Sequence, residues 1–172
     1  RVSVPGGRCV GRRLGSRGNQ VFALWAWCSV VGRRFTVTMG GQRDDNEGHF
    51  STHSIATLFG AAAAAGCAAN LNPRQMRLLL GYAAQQCSGL TSWRRDSEHI
   101  QKAFVFGGMT ARSGVTSALV VHSGWTGVED ILTGTDNFFD AFNSHADPAG
   151  LFDKLGERYE ISSTDIKKCQ LG

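Results

Sequence analysis

The sequence predicts a mostly α-helical protein. The run Ala61–Ala65 forms a strong helix-forming core, and apolar residues recur at i, i+3, i+4 and i+7 across 73–88. Segments of helical length are also separated by short turns carrying Asn, Pro or Gly. At 172 residues the chain suits one sizeable domain and is short for two.

Residues 1–32 read as a separate Arg/Gly-rich leader, disordered or artefactual, with the helical domain running from 33 to 172. Glycines at 6, 7, 11, 15 and 18 oppose helix there, and 21–31 is apolar enough for one short buried element. Ser51–Ser54 then offer N-caps to a helix over Ile55–Ala69, which Asn70 stops. Its small side chains allow a neighbouring helix to approach closely. Asn72-Pro73 supplies a cap and a first-turn proline for a helix over 73–88, with Gly89 marking its end. A polar loop, 91–98, follows. A third helix spans Thr110–Ser123, capped by Gly124, and shorter helices are expected near 128–133 and 136–143. The tail 148–172 has one apolar cluster: Leu151, Phe152 and Leu155.

The net charge of +4 is unevenly spread. Residues 1–43 hold eight arginines and no acid, whereas 44–172 carry ten Lys+Arg against fourteen Asp+Glu. That split argues against nucleic-acid binding by the whole protein. It leaves open a helical interaction module, catalytically dead, with a basic N-terminal arm. Cysteines at 9, 28, 67, 87 and 169 form no C-x-x-C and suit neither a disulfide framework nor a zinc ribbon. They point to a reducing, cytoplasmic compartment. No uninterrupted apolar run reaches the roughly 18 residues of a membrane span, and no signal-peptide pattern opens the chain.

Two constellations could carry chemistry. His49 and His53 stand four apart just before the alanine-rich helix, where a helix N-terminus favours an anion and keeps a nearby imidazole neutral. Asp44, Asp45 and Glu47 lie close by, so a metal reading is open, although the H-E-x-x-H form is missing. Unreactive capping histidines are a further reading. The second constellation is Arg94, Arg95, His99 and Lys102, followed by an apolar run into Gly107-Gly108. Clustered Arg and Lys beside a glycine turn suit a polycarboxylate, while a solvated charged face is the alternative. Partial burial of Lys102 would make it a proton carrier. His122 and His145 stand alone and suit surface roles.

Four stretches then occur in a familiar order: His49–Ala65 (HFSTHSIATLFGAAAAA), Tyr82–Gly89 (YAAQQCSG), Lys102–Gly114 (KAFVFGGMTARSG) and Ser123–Phe142 with SGWTG, ILTG and NFFDAF. Together they resemble the MmgE/PrpD family, over roughly residues 33–172. That family includes 2-methylcitrate dehydratase, cis-aconitate decarboxylase and iminodisuccinate epimerase. The resemblance implies part of an all-helical N-terminal domain, with the smaller α+β domain missing, from a protein that forms a homodimer. It also implies a metal-independent and cofactor-independent lyase acting on a small polycarboxylate, inactive as this piece alone. On the same grounds His53 or His49 is the base, Lys102 the proton carrier or carboxylate contact, and Arg94, Arg95, His99 and Arg112 bind substrate. Ser51 occupies the column of the family's histidine, with His49 and His53 two residues to either side. Lys102 fits the family's lysine when one glycine of Gly107-Gly108 is an insertion, with Val105 or Phe106 in place of a histidine.

Overall fold

A computed structural model describes residues 17–40, 50–143 and 145–163. Helices α1 (Arg17–Thr38), α2 (Thr52–Ala68) and α3 (Pro73–Gln85) come first. A 3₁₀ turn at Thr91–Arg95 follows, then α4 (His99–Ala103), a π turn (Phe104–Gly108) and α5 (Met109–His122). Short α6 (Phe138–Phe142) and 3₁₀ turns at Pro148–Leu151 and Glu160–Ser163 complete the order. The described residues contain no β-strand, only a single antiparallel bridge between Phe50 and Leu90.

α2 is the central element. It lies between α1 and α5, and glycines set both spacings. A Cβ on Gly60 would stand 2.5 Å from the Cys28 carbonyl oxygen, and one on Gly114 would stand 2.5 Å from that of Leu58. Backbone-to-backbone packing this close excludes even a methyl group. The core fills around it with Phe35, Ile55, Leu58, Phe59, Leu79, Val121, Phe138 and Phe139. Phe35 stacks on Phe59 with ring centroids 3.9 Å apart, and Phe138 meets both edge-on.

Caps fix the helix ends. Asn72 and Gln75 form a reciprocal capping box: the Asn72 side chain accepts from Gln75 N–H at 3.0 Å, and Gln75 Oε1 accepts from Asn72 N–H at 2.9 Å. Asn137 caps α6 by accepting from the N–H groups of Phe139 and Asp140. The C-terminal segment is held by Arg34, which is buried on α1. Its guanidinium donates to the carbonyls of Gly150, Leu151, Asp153, Lys154 and Arg158.

Several elements differ from the sequence expectation. α1 is a 22-residue helix, not a short element over 21–31, and the boundary expected after residue 32 falls inside it. Gly32 is tolerated in that helix because tertiary packing against α2 outweighs glycine's weak propensity: it is buried against Ala56. Residues 1–16 and 164–172 lie outside the described residues. Gly107-Gly108 does not open a helix. It sits within one continuous 24-residue helix, His99–His122, whose Met109 N–H bonds back five residues to the Phe104 carbonyl. By length and a hydropathy of 1.3 this helix could cross a membrane, yet Thr110, Gly114, Ser117, Ala118 and Val121 form a buried side. That side packs against α2. Residues 131–133 make a turn in place of the short helix expected near 128–133, because Asp130 accepts from both Thr133 and Gly134 N–H. In the tail cluster Leu151 is buried, while Phe152 and Leu155 are exposed.

Candidate functional site

The N-terminus of α2 is built by two segments that dock on it. Gly89 accepts the Ser51 N–H at 3.1 Å in a left-handed conformation, φ +117°, that suits glycine. A side chain at Gly89 would also collide with Ser54. Ser51 is the N-cap, but its hydroxyl does not cap the helix. Instead it accepts a 3.0 Å hydrogen bond from Trp93 Nε1. The N-cap thereby pins the 3₁₀ turn to the start of α2.

That bond sets the surroundings of His53, in the first turn. Its ring is half-buried, 5.6 Å from Trp93 and 5.5 Å from Phe106, which themselves lie 4.9 Å apart. Arg94 extends from the same turn, its guanidinium 6.0 Å from the Trp93 ring. Burial, with the Arg94 charge as a second cause, pulls the His53 pKa below its ordinary 6.5. The imidazole is therefore neutral at pH 7, the form a general base needs.

Lys102 reaches the same loop from α4, its half-buried Nζ donating to the Asp96 carbonyl at 2.8 Å. The Asp96 carboxylate in turn accepts from Glu98 N–H at 2.9 Å. His53, Arg94 and Lys102 are thus joined through residues 93–96. Arg95 and His99 are exposed beside that loop. Arg112 is not brought in. It lies on the outer side of α5 with exposed Val115 and Leu119, at i+3 and i+7, and faces away from the α2 seam. His49, Asp44, Asp45 and Glu47 lie outside the described residues. Among the described residues no cluster of three His, Cys, Asp or Glu is placed to hold a metal. His122 and His145 are exposed.

The residue pattern did not single out Ser51, Trp93 and Phe106 as partners of His53. Trp93 lay in a charged run and Phe106 in an apolar one, and only the fold brings those runs together.

The structure thus places a half-buried histidine at a helix N-terminus, beside the basic side chains Arg94 and Lys102 of a docked loop, in a helical domain. A family model described as the MmgE/PrpD N-terminal domain matches residues 10–150, and the chain belongs to the MmgE/PrpD family. The match begins within the segment expected to be a leader. No curated protein and no solved structure matches the chain.

Proposed function

We propose that this chain supplies the histidine-bearing part of a MmgE/PrpD-type lyase acting on a small polycarboxylate such as 2-methylcitrate. The observation that carries this reading is the placement of His53, half-buried at the start of α2 against Trp93 and Phe106 with Arg94 beside it, in a chain of the MmgE/PrpD family. Neutral His53 takes the proton from the carbon next to a carboxylate. The C–H electron pair becomes the new C=C bond, and hydroxyl leaves the adjacent carbon as water after accepting a proton. Arg94 holds a substrate carboxylate, with exposed Arg95 and His99 as further anion contacts at the loop. Lys102 carries the proton or contacts a second carboxylate. In this reading the complete protein is a cytoplasmic homodimer whose second domain closes the site.

The complete protein should convert 2-methylcitrate to an alkene acid with new ultraviolet absorbance. His53→Gln should lower the rate by about 100-fold or more, the scale of a lost general base. Lys102→Ala should also slow it. No alkene from the wild type, or a full rate in His53→Gln, contradicts the assignment. Release of carbon dioxide would mark a decarboxylase of the same family, and stereochemical inversion without an alkene would mark an epimerase.

A further inference from the structure

In a regular α-helix, residues four apart drift around the axis by about 40° per step. Lys102, Phe106 and Thr110 are spaced by four, and drift would carry the first two away from the side where Thr110 is buried. The π turn removes that drift. Its Met109 N–H bonds to the Phe104 carbonyl, so one more residue fits into the turn and Phe106 stays over Thr110. The arrangement is reinforced from the buried side. Thr110, 1% exposed, donates its hydroxyl to the carbonyls of Phe106 and Gly107, at 3.2 and 3.1 Å.

We propose that the π turn Phe104–Gly108, locked by Thr110, is a positioning element that holds the Phe106 ring against His53 and Trp93. Glycine at 107 and 108 costs helix propensity in a regular helix, and both fall inside this turn. Phe106 is half-buried and closes one wall around the imidazole, with Trp93 forming the other. Charged or titratable groups on the elements around His53 are Arg94 and Arg95 on the 3₁₀ turn and His99 and Lys102 on α4. Asp96 and Glu98 lie on the loop between them, and α2 itself carries only Cys67, near its far end. The consequence for catalysis rests on His53 acting as the base, but the geometry can be tested without substrate.

Deleting Gly108 leaves four residues where five now make the turn, which restores a regular helix. α5 and Lys102 keep their sides, while Phe106 moves to i+3 from Thr110 and turns about 60° off His53. NMR titration of the His53 ring in the full chain should then show its midpoint rising part of the way to 6.5, with the Arg94 contribution retained. The melting temperature should hold or rise, because a regular helix replaces an irregular one. A folded deletion variant whose His53 titrates as in the wild type overturns the proposal. If the deletion prevents folding, Thr110→Val decides, since it keeps the volume and removes the hydroxyl. It should move the His53 midpoint in the same direction and speed amide exchange at 104–109; an unchanged midpoint overturns the proposal. Because neither readout needs turnover, a failed lyase assay and a failed positioning test are separate results.

Discussion

His53 owes its properties to three neighbours that are distant from it in sequence. Trp93 is anchored by Ser51, Phe106 by the π turn, and Arg94 follows Trp93 onto the same turn. The lowered pKa has a consequence for stability whose sign is fixed. Between the folded-state pKa and 6.5 the unfolded chain binds more protons at this site than the folded one. Stability linked to His53 is therefore fully present above pH 6.5 and is lost as pH falls through the folded value. Urea melts at several pH values should show this acid-side loss in the wild type and a flatter profile in His53→Gln. An identical slope in both would contradict the burial of the ring. At Gly89 the positive φ and the contact with Ser54 act together, whereas Gly124 has φ +99° and open space around it. Gly124→Ala should cost about 1 kcal/mol from backbone strain, and Gly89→Ala clearly more. Equal losses in thermal melts would mean that the loop does not press on α2.

Between elements, the closest packing is that of α2 with α1 and α5. Gly114→Val would drive a branched side chain into the Leu58 carbonyl and Ala62 N–H, and overpacking of this kind costs about 1–3 kcal/mol or more. Arg34 is the other inter-element tie. Hydrogen bonds from a charged donor contribute about 1.5–3 kcal/mol each, though not additively. Arg34→Met should therefore free the segment after Pro148, seen as faster proteolysis at 148–158 while the α2–α5 packing survives. Protection equal to the wild type would show that the segment is held elsewhere. Local signals made much of this level legible. The Asn72-Pro73 cap, the i, i+3, i+4 pattern of α3 and the alanine run of α2 all act within one helix turn. α1 was legible only as a short apolar element over 21–31, because the glycines before it mask the helix start and Gly32 fits by packing closely on Ala56 of α2.

At the level of the whole molecule, the helices α1–α3, α5 and α6 enclose one core and leave Ile100, Phe104, Val115, Leu119 and Trp125 exposed. The family and the helical class could be read from sequence because they rest on ordered motifs and periodicity. The site could be read only in part. From sequence His49 and His53 were equal candidates; Trp93 and Phe106 dock on His53, while His49 lies outside the described residues. Arg112, a substrate contact only by the family resemblance, is turned outward by helix phase. The most direct test of His53 as the base is solvent deuterium exchange at the carbon next to the substrate carboxylate, measured in the complete protein with 2-methylcitrate in D₂O. Exchange or turnover should follow a single ionisation below pH 6.5 and disappear in His53→Gln. Deuterium incorporation that persists in His53→Gln with the same pH dependence would place the base elsewhere.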